Sequence, residues 1–424
     1  MTRIGAVPDS NSSSSLRSAW LMLLVLISGF ALSQAFRTAA GVMAPPLQQA
    51  FGLTPQQLGL FAGAFHFAFG ALQLFMGMGI DVYGPRRTVL AVFPLTIVGA
   101  LVTSTASNYA GLIAGQVLTG IGCAPAFLAC TVFIARRFPF GQYASVNGAA
   151  LGIGSVGLLL TGTPLAWVIT TWGWRAGFVG LAACAALAWL AILLLVREEV
   201  ATRPAQRPHV LAALRGYGEL FRLRQTLGII GLALFTYASF LSLRGLWLGP
   251  LLIDRYGYTL VETGNVALVV SMLGMVGPPL FGRLDPGDAT RRRWILGYTL
   301  ACATIFALMA APLGAAAEVA LALAIGILSG YMVMQYADVR AAYPSHMTGR
   351  AMAVFTMAMF LGVALMQWLT GVAASVAAAL RIETYTAVFG AIAFFLLLGA
   401  GLFRFLPAPA ARSAAAGEPA QSTP

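Results

Sequence analysis

The sequence contains no lysine, and charged residues of all kinds make up only 9% of its 424 residues. Hydrophobic residues make up 59%, and the mean hydropathy is +0.84. A soluble globular protein carries far more charge than this. The composition therefore predicts a polytopic membrane protein.

Several kinds of chemistry are missing as well. Without lysine there is no Walker loop, and the sequence has neither a Gly-rich phosphate loop nor a catalytic triad pattern. The four cysteines lie in apolar stretches and lack metal-ligand partners or disulfide spacing. They are Cys123, Cys130, Cys184 and Cys302. We expect no enzyme activity, no cofactor, no metal and no nucleotide-driven transport by this chain alone.

Arginine supplies the whole positive charge: 25 basic residues face 13 acidic ones, for a net charge of +12. Such an excess is found in nucleic-acid-binding proteins, but here the arginines fall mainly in alternate segments between apolar runs. That distribution follows the positive-inside rule. The predicted partner is therefore the lipid bilayer and not nucleic acid.

Twelve apolar stretches are bounded by polar or Pro/Gly turns, and each is close to the ~20 residues that a helix needs to cross a bilayer. They lie near residues 18–44, 57–80, 87–106, 109–134, 143–168, 174–196, 226–252, 263–283, 293–312, 316–338, 350–375 and 384–406. Glycines of the fifth stretch predict tight helix crossing. They are Gly148, Gly152, Gly154, Gly157 and Gly162.

The loops divide the chain into two halves of six spans. A polar linker at residues 197–225 separates 18–196 from 226–406, and cytoplasmic tails are expected at 1–17 and 407–424. The halves repeat at an offset of about 205 residues. Pro45 corresponds to Pro250, and the Asp81 turn corresponds to one around Asp285. A substrate site is expected where the halves meet near the midplane.

The turn between the second and third spans carries the most specific motif. From Gly77 to Arg87 it reads G-M-G-I-D-V-Y-G-P-R-R. Gly77 allows close helix approach, Asp81 can sit at a helix N-terminus, and Gly84 turns the chain. Arg86 and Arg87 hold the turn in the cytoplasm.

This motif resembles the corresponding loop of the major facilitator superfamily, G-x-x-x-D-x-x-G-x-R-R. It departs at Val82, where a basic residue is usual. The resemblance implies an all-α membrane protein with twelve transmembrane helices in two pseudo-symmetric halves. It also implies that the turn acts as a conformational latch. The latch residues are Gly77, Asp81, Gly84, Arg86, Arg87 and, in the second half, Asp285.

Ionisable residues within a span are candidate sites, because a charge in the bilayer costs several kcal/mol. Arg37 lies in the first span and Arg244 in the corresponding seventh span, so both are predicted to contact substrate. The alternative is that both snorkel to the outer interface or pair structurally. No acidic residue is expected inside a span. Asp338, at the inner end of the tenth, is the nearest.

Neutral polar residues complete the predicted site. His66 could be a proton site or a substrate donor, since its pKa normally lies near neutral, and otherwise it is a packed core residue. Gln73 and Gln34 could add hydrogen bonds to the same cavity, although structural packing is the favoured reading of each. Proton coupling would use His66 or the substrate's own acid group, or transport would not be coupled to protons at all.

Within the superfamily, the first two spans look most like the organophosphate and organic-anion transporters. In that branch an arginine precedes a proline by eight residues, as Arg37 precedes Pro45, and a second arginine in the seventh span would correspond to Arg244. The resemblance implies that both clamp an anion. Gln73 replaces a lysine of the phosphate exchangers, which favours a singly charged anion. Gln116 replaces an arginine on which proton-driven drug exporters depend.

The leading hypothesis is a secondary active transporter that moves a small organic anion, such as a carboxylate, across a bacterial-type inner membrane by alternating access. The alternative is multidrug or metabolite efflux by proton antiport, which usually requires a buried acidic residue. A sensor or assembly protein on the same fold would be expected to carry a larger soluble domain. We expect a monomer with both termini in the cytoplasm.

Overall fold

A computed structural model describes residues 10–139, 142–197 and 218–406, and these residues are helical almost throughout, without a β-strand. We number the spans in chain order. They are α1 (Ser10–Phe51), α2 (Pro55–Ala71 and Gln73–Tyr83), α3 (Pro85–Val92 and Pro94–Thr105), α4 (Tyr109–Cys123 and Ala126–Arg137), α5 (Tyr143–Gly154, Val156–Leu160 and the start of Thr163–Leu195), α6 (the rest of Thr163–Leu195), α7 (Arg224–Ser242, Leu243–Trp247, Leu248–Pro250 and Leu251–Arg255), α8 (Leu260–Arg283), α9 (Arg291–Met309), α10 (Ala315–Leu328, Ser329–Tyr331 and Met332–Ala342), α11 (Ser345–Ala379) and α12 (Thr384–Phe405).

Nine helices in the described residues are long and apolar enough to cross a membrane, and the two parts of α2, bent by 43°, make a tenth. One of the nine, Ser145–Leu195, contains α5 and α6, because Gly173 breaks it with a φ of 85°. The 19-residue helix α9 completes the set, although three arginines begin it. The predicted all-α membrane fold is confirmed, and twelve spans are consistent with these helices.

The predicted boundaries need small adjustments. Helix α1 already begins at Ser10, inside the predicted tail, while residues 1–9 and 407–424 and most of the linker (198–217) lie outside the described residues. The turn between α2 and α3 is a single residue, Gly84, with a φ of 86°. Pro85 starts α3 at once, because proline fits the first position of a helix.

The repeat between the halves is visible in the helix starts. Thr54 caps α2 in a capping box with Gln57, and Thr259 caps α8 in the same way with Glu262. A glycine with positive φ, Gly52 or Gly257, precedes each cap. The pairing of these stretches at an offset of about 205 therefore reflects the same local structure.

The loops lie at two ends of the molecule, and these ends differ in arginine content as the sequence predicts. At one end, Arg86 donates to the backbone oxygen of Leu193 at 2.9 Å, which joins the start of α3 to the end of α6. At the other end, Arg175 donates to the backbone oxygen of Ala106 at 3.3 Å. We call these the arginine-rich end and the arginine-poor end.

Glycines let the two halves touch. Helix α1 meets α7 at Gly41, where an added Cβ would stand 2.8 Å from the backbone oxygen of Arg244. Helix α2 meets α11 at Gly59, and α5 meets α8 at Gly162, where an added Cβ would stand 2.8 Å from that of Leu268. Close backbone approach of this kind requires residues without side chains.

These contacts lie from mid-span to the arginine-poor end. Thr163 donates to Asn265 at 2.6 Å across the α5–α8 contact, and the backbone N–H of Gln56 donates to Ser375 at 3.0 Å across the α2–α11 contact. Nearer the arginine-rich end of α5, an added Cβ at Gly148 or Gly152 would meet nothing within 4 Å. The prediction of tight crossing there is wrong for these two glycines.

The other predicted glycine contacts of α5 are made within the first half. A Cβ on Gly154 would overlap the Phe30 ring, and one on Gly157 would overlap the backbone oxygen of Ala31, so both pack against α1. Helix α5 therefore packs against α1 along its middle and reaches α8 only at its arginine-poor end.

Candidate functional site

Arg37 is buried and has no polar partner in the described part of the chain. Its guanidinium lies between two rings, 4.5 Å from the centroid of Phe69 on α2 and 4.6 Å from that of Phe360 on α11. It makes no ion pair with a described residue, and its Nε is buried without a hydrogen-bond partner. The rings stabilise the cation and hold it between the halves, while its hydrogen-bonding capacity stays unused.

Arg244 is buried as deeply but is held by neutral groups. Its Nε donates to the backbone oxygen of Ala267 at 2.9 Å and to the Ser271 hydroxyl at 2.8 Å, both on α8. Its Nη2 donates to the backbone oxygen of Leu158 at 3.2 Å and to the Thr161 hydroxyl at 3.3 Å, both on α5. Nη1 has no partner among the described residues, and none of the acceptors is charged.

The two arginines lie on helix segments that touch. An added Cβ on Gly245 would stand 3.2 Å from the backbone oxygen of Arg37. From there the Arg37 side chain extends toward α2 and α11, and the Arg244 side chain extends toward α5 and α8. Leu243–Trp247, which carries Arg244, is a π-helical turn, an irregularity that is frequent at functional sites.

His66 and Gln34 lie near Arg37. His66 is buried, its Nδ1 is 3.1 Å from the backbone oxygen of Ala62, and its Nε2 has no partner. Gln34 lies one turn before Arg37 on α1 and is also buried, with its Oε1 unpaired. Both side chains therefore present a free polar atom in the region of Arg37.

Gln367 on α11 lies in the same region, although it is not among the site residues predicted from the sequence. It is fully buried, its side chain faces the His66 ring, and its Nε2 lies 3.7 Å from where a Cβ on Gly245 would stand. Its Oε1 is buried without a partner. Gln367 could have been selected from the sequence, because it is a neutral polar residue within the eleventh predicted span, as Gln34 is within the first.

The Gln73 side chain contacts α4 and not the Arg37 region. It follows the bend of α2 at Leu72, is half-buried, and donates to the backbone oxygen of Ala124 on α4 at 3.5 Å. That oxygen lies where α4 is interrupted, between Cys123 and Ala126. The contribution of Gln73 to substrate binding stays a prediction, without a contact to Arg37 or His66 to support it.

The predicted latch differs between the halves. Gly77 packs against Leu128 on α4, with an added Cβ 3.6 Å away, whereas Asp81 and Arg87 are exposed. Asp81 has no hydrogen bond or ion pair with another described residue, including the start of α3. Arg86 is tied to α6 through Leu193.

In the second half, the Asp285 carboxylate is bound by the guanidinium group of Arg291. Arg291 binds it through Nε and Nη2, with N–O distances of 2.8 to 2.9 Å, and also pairs with Asp288. Hydrogen bonds from the Arg291 guanidinium lower the pKa of the Asp285 carboxyl. Next to this pair, Arg292 binds Asp338 at 3.0 and 3.1 Å.

The expectation that no acidic residue lies within a span is wrong. Glu318, in the first turn of α10, is fully buried and accepts hydrogen bonds from Arg255 at 2.6 Å and from Tyr256 at 3.2 Å. Asp338 is also inside the α10 span. Both are paired with arginines of the second half, which makes their burial tolerable. Neither contacts Arg37 or Arg244.

Residues 25–367 match the Major Facilitator Superfamily. The chain belongs to this superfamily. It has the multi-pass membrane fold of these transporters.

Two curated relatives are named for organic anions. A probable sulfoacetate transporter of Cupriavidus necator is 22% identical over 64% of this chain and 65% of its own length. The hexuronate transporter of Bacillus subtilis is 22% identical over 60% of this chain and 62% of its own length. Both alignments cover less than two thirds of the relative.

Solved structures agree on the fold. A D-xylose-proton symporter superposes with a TM-score of 0.73 at 15% identity, covering 92% of this chain and 98% of that one. Among the residues that the structure describes, two buried guanidinium groups without an acidic partner lie where the halves meet, beside several unpaired neutral atoms. Such a constellation can bind an anion that also carries hydrogen-bonding groups.

Proposed function

We infer that this transporter is a secondary active transporter of a small organic anion, such as a carboxylate. It works by alternating access in a bacterial-type inner membrane. The observation that carries this proposal is the pair of buried arginines, Arg37 and Arg244, neither of which has an acidic partner among the described residues. The names of the two relatives, which refer to sulfoacetate and hexuronate, support the same substrate class.

Arg37 and Arg244 lack an acidic group that would compensate their charge among the described residues. A buried cation costs several kcal/mol unless it is paired or hydrogen-bonded. Three other arginines of the second half, Arg255, Arg291 and Arg292, follow this rule, since each binds a carboxylate. Arg37 and Arg244 instead keep an unpaired Nε and an unpaired Nη1. A bound anion supplies the missing negative charge and accepts hydrogen bonds from these groups.

The alternative of proton-antiport efflux of cations has less support. A hydrophobic cation would need an acidic group at the interface of the halves, but the buried Glu318 and Asp338 are paired inside the second half. Proton coupling through His66 or through the substrate's acid group stays a prediction.

The membrane orientation is part of the proposal. With the arginine-rich end in the cytoplasm, both termini are cytoplasmic, and contacts between the halves from mid-span to the opposite end make this an inward-facing arrangement. Reporter fusions after residues 50, 210 and 410 should read outside, inside and inside. An inside signal at residue 50 contradicts the orientation.

The test of function uses purified protein and proteoliposomes. A panel of monocarboxylates, sulfonates and phosphate esters is screened for thermal stabilisation, because a ligand of the folded state raises apparent stability. Arg37→Ala and Arg244→Ala should each abolish stabilisation and uptake. Arg→Lys keeps the charge but loses the planar fork, so it should weaken binding.

Arg293→Ala is the matched control, because Arg293 is exposed at the start of α9. It should leave uptake unchanged. Normal anion uptake by both Arg37→Ala and Arg244→Ala would mean that the arginines are structural, and the proposal would be wrong. Stabilisation by hydrophobic cations and by no anion would favour the efflux alternative.

A further inference from the structure

Arg244 is hydrogen-bonded across the contact between the two halves. Its Nη2 donates to the backbone oxygen of Leu158 at 3.2 Å and to the hydroxyl of Thr161 at 3.3 Å, and both acceptors lie on α5 of the first half. Its Nε donates to Ala267 and Ser271 on α8, which belongs to its own half. The guanidinium group therefore ties α5 to α7 and α8.

Helix α5 offers a backbone acceptor because it is broken at this level. The helical segment Val156–Leu160 ends just before Thr161. In a continuous helix the Leu158 oxygen would accept from the N–H of Gly162, but that N–H bonds to the oxygen of Leu159 at 3.1 Å. The Leu158 oxygen is left for side-chain donors, and one of them is the Thr161 hydroxyl at 3.0 Å.

The Thr161 hydroxyl also joins Arg244 to α1. It lies 2.6 Å from the hydroxyl of Thr38, the residue that follows Arg37, and both threonines are fully buried. Because Thr161 gives its one hydrogen to Leu158, Thr38 is the donor between the two hydroxyls. Thr161 then accepts from both Thr38 and Arg244. Its hydroxyl is fully satisfied only while Arg244 stays beside α5.

An anion competes with α5 for the Arg244 guanidinium. Nη1 has no partner among the described residues, whereas Nη2 donates to Leu158 and Thr161. A carboxylate or sulfonate that binds the end of the guanidinium takes one hydrogen from each of these nitrogens, as in other bidentate pairs. It therefore displaces at least one bond to α5. A charged acceptor also makes a stronger hydrogen bond than the neutral oxygen that it replaces.

We propose that Thr161 acts as a gating residue that, with the Leu158 oxygen, holds Arg244 to α5 and so keeps the arginine-poor end closed. An anion that binds Arg244 displaces these bonds and releases α5. Because the anion gains its full contacts only with the released guanidinium, its binding shifts the protein toward opening at that end. This inference rests on the proposed binding of an anion by Arg244, and it adds the step that couples binding to conformational change.

A buried cysteine can measure how often the arginine-poor end opens. Thr263, near the start of α8, is 1% exposed. It lies 3.9 Å from where a Cβ on Gly249 would stand, and that Cβ would overlap the backbone oxygen of Gly41 on α1. In a background where the exposed Cys184 is replaced by serine, Thr263→Cys should react with a charged thiol reagent in proportion to the open fraction.

The first test adds anions to this reporter. Gluconate, isethionate and glycerol 3-phosphate serve as carboxylate, sulfonate and phosphate-ester probes. A probe that stabilises the protein against thermal unfolding should also raise the labelling rate of Thr263→Cys. The reason is that it releases Arg244 from α5.

Variants of the gating residue form the second test. Thr161→Val removes the hydroxyl with little change in shape, so it should raise labelling without any anion by about tenfold, because a hydrogen bond to a charged group is lost. The anion concentration that gives half-maximal stabilisation should fall by a similar factor, since a competitor for Arg244 is gone. Thr161→Ser should keep both values near those of the wild type. Thr161→Ala is a second variant in case the valine variant fails to fold.

Thr299→Val is the matched control for the loss of a threonine hydroxyl. Thr299 is fully buried and lies 2.9 Å from the hydroxyl of Tyr331, inside the second half. This variant should change neither the labelling rate of Thr263→Cys nor the half-maximal anion concentration.

The outcomes separate this inference from the proposed function. Unchanged labelling in Thr161→Val, with anion binding intact, overturns the gating role and keeps anion transport. Weaker anion binding in Thr161→Val, restored by Thr161→Ser, shows that the hydroxyl helps binding and does not compete with it, which also overturns the inference. If no anion of the panel stabilises the wild-type protein or changes its labelling, the proposed function and the release by an anion are wrong together.

Discussion

At the residue scale, the two central arginines are held by different physical means. Arg244 is fixed by four hydrogen bonds to α5 and α8, whereas among the described residues only the Phe69 and Phe360 rings hold Arg37. A stacked guanidinium keeps its N–H groups free, because the rings occupy its faces and not its edge. Arg37 is therefore the better candidate for first contact with an anion.

The first prediction concerns one of these rings. Phe360→Leu removes an aromatic face from Arg37, and a desolvated cation–π contact contributes about 0.5–2 kcal/mol. Anion affinity, measured by thermal stabilisation, should fall by about 3- to 30-fold. Phe360→Trp should retain most of it. Phe281→Leu, which changes an aromatic residue away from the site, is the control, and an equal loss there would refute the stacking role.

Candidate site residues could be selected from the sequence where charge marks them. Arg37, Arg244 and His66 stand out as ionisable residues inside apolar spans, and all three are buried. Gln367 was missed because one glutamine in an apolar stretch gives no sign of the helix it faces. Glu318 was overlooked because it lies near a predicted span end, where burial depends on the position of Arg255.

At the element scale, helix pairs of opposite halves meet at glycines. The crossings α1–α7, α2–α11 and α5–α8 use Gly41, Gly59 and Gly162, each facing backbone of the other half. Hydrophobicity does not drive helix association inside a bilayer, so close backbone packing has to stabilise this arrangement. The same contacts must separate if the opposite end of the transporter is to close.

A second prediction follows for Gly59. A Cβ there would overlap the backbone oxygen of Gln367, so Gly59→Ala forces α2 and α11 apart. We expect a lower melting temperature and slower uptake. Gly152→Ala is the matched control, because its Cβ meets nothing within 4 Å and alanine favours a helix. Wild-type stability and uptake in Gly59→Ala would show that this crossing is not tight.

The third prediction uses the ion pairs between α8 and α9. Arg291 lowers the pKa of Asp285 below its usual 3.8, so this pair stabilises the fold above that pH and is lost as pH falls below it. Asp285→Asn should destabilise by about 1 kcal/mol at pH 7, measured by thermal unfolding. The difference from the wild type should shrink below about pH 4.

Asp81→Asn is the matched comparison for Asp285, since Asp81 is exposed and has no partner among the described residues. It should leave the melting temperature unchanged and alter only the rate of uptake, if Asp81 latches the cytoplasmic side in the opposite conformation. Unchanged uptake at wild-type expression would show that Asp81 does not act as a latch residue. A pH-independent difference for Asp285→Asn would contradict its pairing with Arg291.

At the scale of the whole molecule, the sequence predicts the architecture better than the helix ends. Span lengths and arginine placement follow from bilayer thickness and the positive-inside rule, and these constraints act on every loop at once. The conformation could not be predicted in this way. Which end of the molecule is closed depends on backbone contacts such as those of Gly41 and Gly162. The same amino-acid sequence has to allow the conformation closed at one end and the conformation closed at the other.

The last prediction tests whether the arginine-poor end must open during transport. Thr163 and Asn265 lie on opposite halves with their side-chain oxygens 2.6 Å apart. In a background where the exposed Cys184 is replaced by serine, Thr163→Cys with Asn265→Cys should cross-link on oxidation. The cross-link holds α5 against α8, so uptake should stop and return on reduction.

The control is a cysteine pair at the same end but within one half. Thr386 donates to the backbone oxygen of Ala310 at 2.6 Å, and both belong to the second half. Thr386→Cys with Ala310→Cys should cross-link without stopping uptake, because the halves move as units. If fully cross-linked Thr163→Cys, Asn265→Cys protein still transports, substrate passes without separation of α5 and α8. Alternating access by rocking of the halves would then be wrong.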